Sequence, residues 1–87
     1  MTRIDEAAER GLVELKAIID ADIKEIGGSV LSFQEVVDMV DLGCCANSIV
    51  SPKNRMVVLL KMMEGLSLTY KMSWIESDGI EFQRRKH

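Results

Sequence analysis

The chain has 87 residues, 47% of them hydrophobic and 29% charged, with a formal charge of −3. That is material for one packed domain, and it excludes a disordered chain and a pair of separate cores. No apolar run approaches the ~18 residues of a membrane span, and the charged start Thr2-Arg3-Ile4-Asp5-Glu6 lacks a signal core, so a cytoplasmic protein is expected.

Apolar residues Ile4, Ala8, Leu12, Leu15, Ile19, Ile23 and Ile26 recur at steps of four and three, which predicts an amphipathic helix over residues 2–26. Thr2 and Asp5 form a capping pair, and Glu6 with Arg10 and Asp20 with Lys24 stand four residues apart in the favourable order. Gly27-Gly28 ends the helix through a left-handed cap. Gly11 marks either a close helix crossing or a break. An unbroken helix would span roughly 37 Å, more than a compact domain of this size needs. Two readings follow. Leu12, Leu15 and Ile19 form the seam of a homodimer, or the helix breaks near Gly11 and packs on its own domain.

Residues 28–31 are short enough for a small strand. Ser32-Phe33-Gln34-Glu35 is a capping box opening a second helix over residues 33–42, with Phe33, Val36, Val37 and Val40 inward and Gly43 as the stop. Residues 43–50 fit either an extra turn or a loop. Ser51-Pro52 opens a third helix over residues 52–64, a serine cap followed by proline at the first helical position. Met56, Leu59, Leu60 and Met63 are expected to be buried. Val58 and Met62 lie off that stripe and are expected at the surface.

From Leu66 the apolar period shortens to two: Leu66, Leu68, Tyr70, Met72 and Trp74 alternate with polar residues. With the turn dipeptide Asp78-Gly79 and the return alternation of Ile80 and Phe82, this predicts a β-hairpin over residues 66–85 and a basic tail, Arg84-Arg85-Lys86-His87. The fold class is α+β: three helices, the first long and amphipathic, with a C-terminal β-hairpin.

Helix, short strand, helix, helix, hairpin is an order that resembles the winged-helix (winged helix-turn-helix) domain over residues 29–87. The resemblance rests on Ser32–Glu35, on the third helix running into Gly65-Leu66, and on Asp78-Gly79. It implies a third helix that enters the DNA major groove and a hairpin wing on the backbone. Lys53, Asn54 and Arg55 would then face base edges or phosphates, and Lys61, Lys71, Arg84 and Arg85 phosphates. Residues 42–51 are long for that family's turn, and an isoelectric point near 5.1 suits a polyanion poorly.

The chemistry of catalysis is not spelled out. Cys44 and Cys45 are adjacent, without the spacing of zinc pairs, and the single histidine is His87. Buried thiols are expected, with no metal, no cofactor, no small-molecule substrate and no enzymatic activity. Charge is more informative. Residues 1–51 hold ten acids and four bases, a balance of −6, while residues 52–87 hold seven bases and four acids, a balance of +3. The leading expectation is a protein-interaction module or inhibitor, of the kind phages and mobile elements encode, whose acidic face (Glu35, Asp38, Asp41) meets a basic protein surface. A dimeric DNA-binding regulator is the alternative, and an accessory subunit of a larger assembly the third. Met56, Met62, Met63 and Met72 fit either core packing or an adaptable binding face.

Overall fold

The computed structural model describes residues 2–85. Its elements are α1 (Arg3–Ile26), β1 (Ser29–Ser32), α2 (Phe33–Ala46), α3 (Pro52–Thr69), β2 (Tyr70–Ile75) and β3 (Gly79–Arg84). The fold is α+β, with the expected long first helix and C-terminal hairpin.

Local chemistry sets the limits of α1. The Thr2 hydroxyl accepts from the Asp5 backbone N–H at 3.1 Å, and Gly27 closes the helix at φ 85°. Between them the helix is unbroken. A methyl group at Gly11 would lie 2.8 Å from the Met39 carbonyl oxygen and 2.7 Å from Met62 Cε. The glycine therefore permits a close crossing and is no break. At 1.5 Å per residue, 24 residues cover about 36 Å, which matches the longest extent of the molecule, 36 Å. Nothing overhangs.

This overturns the proposed seam. Leu15 and Ile19 are fully buried in the domain's own core, and half-buried Leu12 packs over Gly65. Neither Leu15 nor Ile19 is free to face a partner.

The second helix begins as expected. Ser32 and Glu35 exchange the two bonds of a capping box, at 3.2 Å and 2.7 Å. It does not stop at Gly43 but continues to Ala46. A Cβ at Gly43 would collide with the Ala7 carbonyl oxygen, so this glycine marks the contact of α2 with α1. The stretch left open by the sequence is one more helical turn and a tight exit. Ser48 takes φ 57°, and the Ile49 N–H returns to the Cys44 carbonyl at 2.9 Å, leaving Ile49 buried.

The largest departure is in α3, which runs five residues past its expected end. Gly65 sits inside it because a Cβ there would lie 2.6 Å from Leu12 Cδ2. Its buried residues are Val58, Met62 and Leu66, one line at steps of four. Val58 and Met62, expected at the surface, are completely buried, while Met56 and Leu60, expected inside, are 55% and 61% exposed. Leu66 and Leu68 belong to the helix, not to a strand. Their alternation over four residues suits either structure, and the contact of α3 with α1 decides for the helix.

The strands form one antiparallel sheet in the order β1-β3-β2. Leu31 pairs with Ile80, which pairs with Trp74, and Ser29 with Phe82, which pairs with Met72. Leu31, Ile80 and Phe82 complete the core against the helices, with the Tyr70 ring edge-on to Phe82. The hairpin turn occupies residues 76–78, and its left-handed residue is Glu76 at φ 56°, not Gly79. Gly79 already belongs to β3. A Cβ there would lie 3.0 Å from the Ile75 carbonyl, so close strand approach, not positive φ, explains the glycine. Of the basic tail, Lys86 and His87 lie outside the described residues.

Candidate functional site

An apolar residue just before a helix cap ordinarily packs on the fourth helical residue. At the start of α2 those positions are Leu31 and Val36, both buried. At the start of α3 they are Val50 and Arg55, and the Arg55 guanidinium turns aside to donate to the Asp41 carboxylate. Val50 is left without an apolar residue at its staple position and stays 86% exposed. Ser51 occupies the cap position without a side-chain capping bond, contrary to expectation. The first bond of α3 runs instead from the Arg55 N–H to the Ser51 carbonyl at 2.9 Å.

Around Val50 an open groove of about 510 Å³ lies between α2 and α3. Val37, Val40 and Asp41 form one wall, Arg55, Met56 and Leu59 the other, and Val50 and Pro52 close one end. The Asp41–Arg55 ion pair crosses it, with both side chains more than a third exposed, so it orients the walls more than it stabilises them. The sequence pattern identified Val37 and Leu59 as apolar helix positions but missed Val50. The available signal was an arginine at the position where its staple partner belongs.

The three acids of the expected acidic face all lie on α2, but each has local work. Glu35 accepts the Ser32 N–H in the capping box, Asp38 accepts from Gln34 Nε2 at 2.9 Å, and Asp41 holds Arg55. Asp38 is three residues from Asp41 and flanks the groove wall on its solvent side.

The basic residues are not brought together. Lys53 and Asn54 are exposed in the first turn of α3. Lys71, Arg84 and Arg85 line a hollow beyond its last turn, with Gln83. Most of α3, from Asn54 to Thr69, separates the two groups by about 22 Å. Three of the seven candidates are already engaged: Arg55 with Asp41, Lys61 with Asp5 at 3.1 Å, and Arg85, whose Nε donates to the Ser67 carbonyl at 2.9 Å. Between the groups the exposed residues of α3 include Met56, Leu60, Glu64 and Lys61, the last held by Asp5. An apolar stripe ending in a carboxylate offers little to phosphates.

The remaining titratable groups have structural surroundings. The Tyr70 hydroxyl donates to Asp20 Oδ1 at 2.7 Å, and burial together with that carboxylate pushes the phenol well above its usual value. Buried Ser29 donates to Asp22 Oδ2 at 2.7 Å. Cys44 is buried, which pushes its thiol up, and Cys45 is exposed; both are free. Among the described residues no group of three or more His, Cys, Asp or Glu is placed to hold a metal, and no helix is long and apolar enough to cross a membrane.

No protein-family model matches the chain, and neither curated proteins nor solved structures give a match to it.

Proposed function

We propose that this chain is a winged-helix-like protein-interaction module without catalytic activity, working inside the cell, and that it docks through the α2–α3 groove. The observation that carries the reading is the exposed side of α3. Where a DNA reader needs polar and basic side chains, this helix presents Met56 and Leu60 beside Val50 and a groove walled by valine, proline and leucine. Apolar surface of this kind, bordered by charge, is the ordinary composition of a protein-binding patch. The acids of α2 give the patch an acidic margin, so a partner with a basic margin fits it. The element order α1-β1-α2-α3-β2-β3 supports the winged-helix resemblance.

The test is a titration followed by backbone amide shifts, using two probes: a synthetic amphipathic helix of leucine and lysine, and duplex DNA at low salt. The peptide is expected to shift the amides of residues 37–41 and 50–60, and Met56→Asp to abolish those shifts with the fold intact. Shifts at Lys53, Asn54, Lys71 and Arg84 with DNA, and none with the peptide, would overturn the reading in favour of nucleic-acid binding.

A further inference from the structure

At the end of α3 away from the groove, a hollow of about 340 Å³ is walled by Lys71, Gln83, Arg84 and Arg85. Three cations and an amide form it, with no acid among them. Lys71 and Gln83 are cross-strand partners and share one face of the sheet. Arg85 enters from the end of β3. Its Nε and Nη2 donate to the Ser67 carbonyl at 2.9 Å and 2.5 Å, which fixes the guanidinium against the last turn of α3. Among the described residues the ion pairs are Arg55 with Asp41 and Lys61 with Asp5, so the charges of Lys71, Arg84 and Arg85 are not neutralised by the chain. In a protein of formal charge −3, that is a local excess of the opposite sign.

A wider hollow of about 590 Å³ adjoins it, sharing Arg84 and Arg85 as walls and adding Asp20, Lys24, Thr69 and Tyr70. We infer that the two hollows together bind a small phosphate monoester bearing hydroxyl groups, its phosphate in the smaller hollow and its esterified group in the wider one. The planar guanidinium presents paired N–H donors that match phosphate oxygens. An arginine already held in place, as Arg85 is by Ser67, loses less freedom when an anion arrives. The wider hollow differs by its carboxylate. Asp20 Oδ1 accepts the Tyr70 hydroxyl, which leaves Oδ2 to accept a hydroxyl of the ligand. The same carboxylate repels a second phosphate there, so a hydroxylated monoester fits where a diphosphate does not.

This site is distinct from a nucleic-acid contact of the hairpin. The paired ends Tyr70 and Arg84 lie at the opposite end of β2 from the turn, about 17 Å along a strand of six residues. A duplex laid along α3 would engage Lys53 and Asn54 as well, whereas a ligand of the two hollows leaves them untouched. Charge separates the ligands too. A monoester carries about −1.5 to −2 at pH 7 and a diester only one negative charge, so three cations in one small hollow favour the monoester. The groove between α2 and α3 stays open, and the inference stands or falls apart from the docking reading.

The experiment is a titration of the full chain at pH 7.5, read from backbone amide shifts. The probes are inorganic phosphate, ribose 5-phosphate and dimethyl phosphate, with sodium chloride at matched ionic strength as the blank. Inorganic phosphate is expected to give saturable shifts at residues 69–71 and 83–85. Ribose 5-phosphate is expected to bind at least tenfold more tightly and to shift residues 20–24 as well, and dimethyl phosphate to bind at least tenfold more weakly than ribose 5-phosphate. Arg84→Gln should weaken ribose 5-phosphate at least tenfold, while Lys53→Gln leaves it unchanged. Circular dichroism confirms the fold of each variant, and Lys71→Gln replaces Arg84→Gln should that variant not fold. Shifts that fail to saturate, or that sodium chloride reproduces, overturn the inference. So does an equal loss in Lys53→Gln, or a ribose 5-phosphate that binds no better than inorganic phosphate or the diester.

Discussion

α1 and α3 are both long helices with one line of residues in the core, and they differ in what the rest of the surface carries. α1 turns Glu6, Glu9, Arg10, Glu14 and Lys24 outward, and the middle of its apolar line, Ala8, Leu15 and Ile19, is buried while Ile26 at its end is 81% exposed. α3 carries apolar residues on more than one side, beside its charged one: Val58, Met62 and Leu66 go inward while Met56, Leu60 and Leu68 stay in water. A helix side that is apolar is ordinarily a buried side. In a chain of this size only one side of α3 finds cover, and the uncovered side is the one beside the groove. Leu15 and Ile19 of α1, whose pattern looked like a dimer seam, are closed in the core. The apolar residues that α1 exposes are Val13 and Ile18, apart from that line, and Ile26 at its end, whereas those that α3 exposes adjoin the groove at Met56.

The strongest way to break this comparison lies within α3, using one residue type twice. Met62 is fully buried and Met56 is 55% exposed. Met62→Ala is expected to cost about 2–5 kcal/mol, the range for emptying a buried site of this size. Met56→Ala is expected to stay within about 0.5 kcal/mol, as for surface changes. Urea unfolding at low micromolar concentration checks both. Equal losses would place the core on the wrong side of α3.

Next in size is the contact that lets α2 run past Gly43. Gly43→Ala replaces a poor helix former with the strongest, so by propensity alone it would stabilise α2 by about 1 kcal/mol. The new Cβ meets the Ala7 backbone, however, and backbone cannot swing away as a side chain can. A net loss of about 1–3 kcal/mol is expected in thermal unfolding. A gain would mean that α1 and α2 are not held at this distance.

These two positions also show how much the sequence could reveal. Capping residues and charge segregation are local, so Thr2, Ser32 and Gly27 mark helix ends, and the stripe of α1 reads directly. Gly43 and Gly65 misled because their role is tertiary: each lies inside a helix where another helix touches it. The face of α3 was illegible for a related reason. With apolar residues at 56, 57, 58, 59, 60, 62 and 63, several stripes fit equally, and only the contact with α1 selects 58, 62 and 66. The bond of Glu35 to Ser32 was legible as a capping box, but those of Asp38 to Gln34 and of Asp41 to Arg55 were not. The groove itself depended on Val50, in the segment without a period to read.

A smaller effect is expected where the sheet meets α1. Tyr70→Phe removes the hydroxyl bond to Asp20 and should cost about 1–2 kcal/mol, since the acceptor is a carboxylate that stays solvated after the change. The pH dependence sharpens this. Burial and Asp20 raise the phenol above its usual value of 10.0, so the folded state favours the protonated form. That contribution is fully present below pH 10 and declines as pH rises above it, because the unfolded chain then releases a proton that the folded chain keeps. Wild-type stability should therefore fall more steeply above pH 10 than that of Tyr70→Phe. Parallel curves would remove the buried phenol from the account.

The smallest effect concerns the ion pair by which α3 touches the start of α1. The Lys61 ammonium, 3.1 Å from Asp5 Oδ1, holds the Asp5 carboxyl below its usual value of 3.8, and the Thr2 hydroxyl adds to the shift. A lowered carboxyl supports the fold above the unfolded value, and that support disappears as pH falls through the folded one. Both side chains are nearly half exposed, so water and salt weaken the pair. Lys61→Met should consequently leave the unfolding midpoint at neutral pH almost unchanged. The sensitive measurement is the Asp5 carboxyl itself, titrated by carbon shifts in the wild type and in Lys61→Met. The wild-type group is expected to titrate below 3.8 and to move back toward that value in the variant. An Asp5 that titrates identically in both proteins would mean that the charged side of α3 does not reach α1, leaving their apolar contact alone to set the register.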